Sequence, residues 1–380
     1  MSATAVALPG DVLTEVRDDQ IYVASQWQLM WWKFRRHKAA LAGAGVVILL
    51  YLVAIFCEPL APYDPEAQDV RFAYNPPTAI RFVDTEGNFH LRPFVYATTR
   101  KRDLNTLQLV FAEDTSTMHP LGILVPGAPY KLWGVVPANV HLYGVASPDV
   151  RVFLFGADAQ GRDVFSRVVY GTRISMSVGL VGVFLTFILG IVIGGVSGYY
   201  GGTVDTIIQR VIEFVRSMPA IPLWMSLSAA LPANWPILRV YFAITIILSL
   251  IGWTGLARVV RGRFLALREE DFIMAAKLSG SSERTIIFKH MVPSFMSHII
   301  AALTLAVPEM ILSETALSFL GLGLRYPAIS WGVLLQEAQN IRSVAVAPWL
   351  LAPAGAVVVA VLALNFLGDG LRDAADPYAR

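Results

Sequence analysis

The chain has 380 residues, 55% hydrophobic and 15% charged, with a formal net charge of +2 and a mean hydropathy of +0.56. Soluble domains carry about a quarter charged residues, so the composition excludes an ordinary soluble protein and points to a membrane one. A single cysteine, Cys57, and six scattered histidines exclude an intramolecular disulfide and supply no metal cluster, and nothing in the charge suggests nucleic acid as a partner.

Residues 1–20 are polar and mixed in charge. No cleavable secretory signal is expected, because the first apolar run follows a long charged leader. From Ile21 to Lys38 the chain turns amphipathic and basic: Trp27, Trp31, Trp32 and Phe34 lead into Lys33, Arg35, Arg36, His37 and Lys38. Residues 1–38 thus read as a cytoplasmic segment ending in a helix that lies in the headgroup zone. Residues 39–57 supply the first span, at about 1.5 Å per residue just enough for a hydrocarbon core of about 30 Å. Cys57 reads as a packing residue at its outer end. Residues 58–172 form an outer, extracytoplasmic insertion with short alternating stretches at Arg92–Thr98, Gln108–Phe111, Val140–Val145 and Val150–Phe155, which predict a small β-rich unit. It is either a passive cap or a lip touching a delivered solute or its carrier; the sequence leaves both open.

Residues 173–380 read as the helical core. Just before it comes GADAQGRDVFSRVVYGTRISMSVGL, Gly156 to Leu180. Its glycines permit tight backbone, while Asp158, Arg162, Asp163 and Arg173, with Gly161 between, can pair as the chain enters the bilayer. That favours a structural role at the outer end of the second span, Ile174–Gly198, over substrate contact. Gly190, Gly194 and Gly198 permit close helix approach there. The third span, Val211–Leu231, is interrupted by Glu213, Arg216, Pro219 and Pro222; with Met218 and Pro219 it either lines a pathway or is merely kinked. The fourth, Pro236–Val259, exits at Arg258, Arg261 and Arg263.

A charged loop, 260–293, follows, basic enough to be cytoplasmic. Arg268–Leu278 predicts a helix with an apolar stripe of Phe272, Ala275, Ala276 and Leu278. Gly280 takes the place of a C-cap glycine, and Ser281 or Ser282 restarts a helix that has Glu283 in its first turn and ends near Met291. Such a helix is a knob for a soluble partner to hold. The fifth span, Val292–Leu322, contains Pro308, Glu309 and Glu314. Acids at membrane depth are candidates for a pathway, but these two lie on different helix faces and form no general acid/base pair. Trp331, in an outer loop from Tyr326 to Ala347, reads as an interfacial anchor. The last span is Trp349–Leu367. The count is about six spans with both termini cytoplasmic. No GxxxxGK(S/T) stretch is present to cradle a nucleotide, and no nucleophile–base arrangement stands out for catalysis.

Several stretches carry a family resemblance. The Gly156–Leu180 stretch resembles the signature GTDxxGRDxxSRxxxGxRxSLxVG, matching at Gly156, Asp158, Gly161, Arg162, Asp163, Ser166, Arg167, Gly171, Arg173, Ser175 and Gly179, with Ala157 replacing threonine. Ala275-Ala276, Gly280 and His290-x-x-Pro293 resemble the EAA loop of ABC importer permeases. SETALSFLGLG, and Asn365 to Asp373 with Asp376-Pro377, resemble further motifs of the dipeptide, oligopeptide and nickel permease subfamily. The resemblance covers nearly the whole chain except residues 1–20 and most of 64–150. It implies an all-α polytopic permease of type I importer fold, with the β-rich insertion between helices 1 and 2, in a bacterial inner membrane. It further implies a translocation subunit without enzymatic activity, paired with a second homologous permease as a heterodimer, two ATP-binding subunits and a periplasmic binding protein. ATP and Mg would sit in the partners, leaving no cofactor here. The coupling residues would be Glu270, Asp271, Met274, Ala275, Ala276, Gly280, His290 and Pro293. Met274 stands where the motif has glutamate, so that charge contact is missing or comes from Glu269, Glu270 or Asp271. The expected solute is peptide-like, with an oligosaccharide, opine or nickel chelate as the alternative. An ion-coupled carrier would want buried charge pairs or inverted repeats, and neither is visible.

Overall fold

The computed structural model of the chain describes residues 26–102, 109–147, 149–232 and 234–375. The expectations for the leader before residue 26, for Gln108 and for Asp376-Pro377 fall outside them. The basic amphipathic segment forms α1 (Gln26–Arg36), and His37 turns the chain into α2 (Lys38–Ile55), its Nδ1 accepting from the N–H of Ala40 at 3.0 Å. Met30 and Phe34 pack on Ala40, Ala374 and Ala375. Trp27, Trp31 and Trp32 remain exposed, the arrangement of a helix lying at an interface.

Among the described residues five helices are long and apolar enough to cross a membrane: α2, α3 (Val164–Tyr200), α6 (Ile237–Leu267), α8 (Met296–Phe319) and α10 (Ala352–Ala375). The expected third span is not one of them. It is divided at Met218 and Pro219 into an amphipathic helix, α4 (Gly202–Ser217), and a short apolar one, α5 (Ala220–Ala229). Proline cannot continue the helix, because it lacks an N–H and its ring clashes with the preceding turn. A ten-residue helix reaches only about 15 Å, so neither piece spans alone. Because α3 and α6 run in the same direction, with Ser177 beside Tyr241 and Gly198 beside Phe264, α4 and α5 together return the chain across. Two boundaries also differ. α3 begins at Val164, ten residues before the expected span and within the expected insertion, because Asp163 caps it by accepting from the N–H of Ser166 at 2.7 Å. α6 continues to Leu267, well into the expected loop.

α3 and α6 pack along much of their length, and glycine sets their separation. A Cβ at Gly198 would sit 2.6 Å from Phe264 Cβ and 2.7 Å from the Arg261 carbonyl oxygen. A side chain at either Gly194 or Gly198 would therefore push backbone apart. Around this pair a long apolar core joins α3, α6, α8 and α10, with Met176, Ile244, Ile311 and Ala360 fully buried.

The insertion is a four-stranded antiparallel sheet in the order β1 (Arg81–Val83), β2 (Phe89–Arg102), β3 (Leu109–Leu132), β4 (Val136–Val145). β3 pairs with β2 over its first half and with β4 over its second. Each half therefore has a free edge, and a bulge falls between Pro126 and Tyr130; proline is tolerated in such places. That is why a 24-residue strand is hidden in a stretch with Pro120, Pro126 and Pro129. Val150–Phe155, expected to be a strand, joins no ladder; it runs irregularly against the core, with Val152 and Phe153 buried.

Candidate functional site

At the end of the bundle opposite the insertion, α7 (Asp271–Leu278) lies between α6 and α8. Gly280 ends it at φ +78°. Its N–H donates to the Lys277 carbonyl at 3.0 Å and the N–H of Ser281 to that of Ala276 at 3.1 Å. This is the double bond of a Schellman cap, and only glycine takes that backbone without cost. Ser282 then caps the next turn, accepting from the N–H of Thr285. The segment Ile286–Met291 is wound as a π-helix, with His290 half-buried within it and Pro293 exposed just beyond.

The expected apolar stripe of α7 is split between two faces. Ile273 and Ala276 point inward, packing with Phe264, Ile286, Met291 and Phe295. Phe272, Met274, Ala275 and Leu278 point out, Leu278 being 86% exposed. The sequence stripe missed Ile273, whose spacing to Ala276, i to i+3, is the signal that would have found it. Glu270 and Asp271 are exposed at the start of the helix. Lys277 lies 5.9 Å from the ring centroid of Tyr199, and Tyr200 donates to Glu283 at 2.8 Å. The α7 unit is thereby fastened to the end of α3. Nearby, Arg261 on α6 makes two 2.5 Å hydrogen bonds to Asp205 on α4. Those bonds hold the Asp205 carboxyl below the usual carboxylate range.

At the insertion end the signature residues form a buried ion network with different pairings from those expected. Asp158 receives Arg162 Nε at 2.6 Å and Arg167 Nη1 on the same oxygen; its other oxygen takes the N–H groups of Gln160 and Arg162 at 2.9 and 3.0 Å. Gly161 makes the turn between them at φ +72°. Among the described residues Asp163 joins no ion pair; it serves as the cap of α3. Arg173 turns away to Glu58, meeting both carboxylate oxygens at 2.7 Å. Burial acts to raise the Glu58 pKa, but the Arg173 hydrogen bonds and further donors outweigh it and lower it. Glu337 accepts from the N–H of Ala159 at 2.8 Å; burial, then the neighbouring Asp158, raises its pKa. Glu58 and Glu337 were not singled out in the sequence, and their partners lie 115 and 178 residues away. Among the described residues no group of three or more His, Cys, Asp or Glu is placed to hold a metal.

The two acids of α8 do lie on different faces. Glu314 is fully buried and accepts from Ser318 at 2.7 Å and Ser330 at 2.8 Å. Ser330 in turn caps α9 (Trp331–Gln336). Trp331 is not an interfacial anchor: it is completely buried, its N–H donating to Ser175 and its indole to the Val168 carbonyl. Glu314 is thus a clasp between α8 and the outer loop. Glu309 is exposed on a crevice of about 410 Å³ lined by Ile221, Trp224, Pro308 and Asn365. Met218 and Pro219 mark the break before α5 but do not line that crevice.

Residues 190–380 match the family described as the binding-protein-dependent transport system inner membrane component, and residues 25–77 match the N-terminal TM domain of oligopeptide transport permease C. The chain belongs to the first of these families. This permease is 34% identical over 244 residues to the oligopeptide transport system permease protein OppC of Bacillus subtilis (strain 168), covering 64% of this chain and 77% of that protein. It is 42% identical over 227 residues to OppC of Escherichia coli (strain K12), 60% of this chain and 72% of the relative. With the dipeptide transport system permease protein DppC of B. subtilis it shares 38% over 228 residues, 60% and 69% of the two chains. An inward-facing structure of the MetNI methionine ABC transporter overlaps 55% of the permease and 97% of its own chain at 19% identity, with a TM-score of 0.43. The permease is a multi-pass inner-membrane protein, and the region 190–380 contains the whole of α4 to α10, α7 included.

Proposed function

We propose that this permease forms half of the pathway of an ATP-driven peptide importer, paired with a second homologous permease and worked by two ATP-binding subunits. A periplasmic binding protein would deliver the solute at the insertion end. Both termini and α7 then face the cytoplasm, in keeping with the arginine-rich ends of α1 and α6. ATP and Mg belong to the partner subunits, and this chain carries no chemistry of its own.

The observation that supports this reading best is α7 itself. A short helix whose inner face is locked by Ile273 and Ala276 presents Phe272, Met274, Ala275 and Leu278 outward, exposed among the described residues. An outward apolar face on a rigid element is what a soluble partner would grip. With Met274 in place of the motif glutamate, the grip is apolar, and Glu270 and Asp271 at its start supply the charge. ATP-driven closure of the partners would move α7 as a lever. The Asp205–Arg261 and Tyr200–Glu283 contacts pass that motion to α3, α4 and α6. Peptide is preferred as the solute because the relatives are named for oligopeptide and dipeptide transport. On the pathway, the Glu309 crevice is a better candidate than Met218 and Pro219.

The test is uptake into proteoliposomes holding the complete importer. Peptides should accumulate only with ATP and with both the ATP-binding subunits and the binding protein present. Accumulation of a galactoside, an opine or a nickel chelate instead would replace the solute. Uptake that persists without the ATP-binding subunits would replace the mechanism with an ion-coupled one.

A further inference from the structure

The β3–β4 hairpin closes with Leu132 opposite Val136, through a three-residue turn at Trp133, Gly134 and Val135. Trp133 adopts φ +52°, a conformation that bulky side chains seldom take and that surrounding contacts must hold. The contacts that hold it come from the outer end of α2 and the turn that follows it. The indole N–H donates to the Ile55 carbonyl at 2.8 Å, the backbone N–H donates to Glu58 Oε1 at 3.2 Å, and the ring lies 5.9 Å from that of Phe56. Ile55 is the last residue of α2, and the final carbonyls of a helix lack internal donors. Arg173 supplies donors to Ala54 and Ile55, and Trp133 supplies another to Ile55. α2 has 18 residues, so it spans about 27 Å, close to the thickness of the hydrocarbon core. The Ile55 carbonyl therefore lies at the boundary between hydrocarbon and headgroups, and Trp133 with it.

What the turn exposes matches that depth. Ile48, Leu52 and Ile55 recur at helical spacing along one exposed face of α2, and the stripe continues through Phe56 into Trp133, Val135 and Val136, all exposed. Tyr130 and Lys131 sit directly above the turn. Tryptophan, tyrosine and a snorkelling lysine over an apolar tip are the side chains that membrane interfaces favour. We propose that the β3–β4 turn is an interfacial anchor, seated in the lipid headgroup and upper acyl region beside α2, so that the insertion stands on the bilayer.

The test uses the full chain in nanodiscs, with NBD attached at Val135→Cys and buried Cys57 left in place. Leu52→Cys serves as the acyl-region reference, and Leu91→Cys, on the far-exposed β2, as the aqueous one. Wild type, labelled in parallel, reports any background from Cys57. The proposal expects blue-shifted NBD emission at position 135 and clear quenching when the acyl chains carry bromine, well above that at position 91. Emission and quenching equal to those at position 91 would overturn it. Blue-shifted emission without bromine quenching would also overturn it, because protein rather than lipid would then cover the turn.

Discussion

Replacing Asp158 by asparagine removes one charge from a site where water cannot compensate. Asp158 is 1% exposed and Arg162 and Arg167 are 6% and 5% exposed, and one carboxylate oxygen serves both guanidinium groups. Asparagine can keep the oxygen that takes the N–H groups of Gln160 and Arg162, but it turns an amide N–H₂ toward two buried cations. Breaking a buried ion pair by removing one partner costs roughly 3–5 kcal/mol. At about 2 °C per kcal/mol, the lower end for large domains, the unfolding midpoint should fall by on the order of 6–10 °C. The chain supplies its own reporter, since its one cysteine, Cys57, is fully buried. A thiol-reactive dye therefore reads unfolding in detergent at a fixed heating rate. Adding Arg167→Met to Asp158→Asn should recover part of the loss, because it removes one of the stranded charges. A midpoint for Asp158→Asn within a degree of wild type would refute the buried network as a source of stability.

Three other outcomes follow from particular contacts. Gly198→Val should lower the midpoint by an amount equivalent to about 1–3 kcal/mol of overpacking, whereas Gly45→Val, at a glycine with open space around it, should be much milder; equal effects would contradict the close α3–α6 approach. Arg261 lowers the Asp205 pKa, so this pair stabilises the fold above the unfolded carboxylate value and its contribution is lost as pH falls through the lower folded value. Between about pH 5 and pH 3, wild type should lose more stability than Asp205→Asn, and parallel loss would show that the pair contributes nothing. Phe272→Asp and Leu278→Asp, on the outward face of α7, should abolish ATP-dependent uptake and co-purification of the ATP-binding subunits while membrane insertion and melting stay as in wild type; retained uptake would remove α7 from the coupling route.

The parts of the fold that span a membrane were legible wherever apolar runs were long. The same rule met its limit at Met218–Pro219, where proline divides the third crossing into α4 and α5, neither long enough to span alone. The helix that starts at Val164 begins ten residues before the apolar run predicts, because its first turns are polar and the Asp163 cap marks the start. In the β insertion, strand alternation found β2 and β4 but not the proline-bearing length of β3, which depends on free edges that exist only in the assembled sheet. The candidate site divides similarly. Gly280 could be placed from its local chemistry alone. The inward choice of Ile273 over Phe272 depends on where Phe264 and Met291 stand, and the partners of Arg173 and Asp205 depend on which helix ends meet. Trp331 shows the same limit: its composition suits an interface, but the gap between α3 and α8 claims it.

Photo-crosslinking from α7 in the assembled importer tests the central claim most directly. A photoreactive residue at Leu278 or Phe272 should capture an ATP-binding subunit, while one at buried Ile273 or at Leu91 in the insertion should not. Capture absent from Leu278 and Phe272, or equally strong from Leu91, would contradict the account.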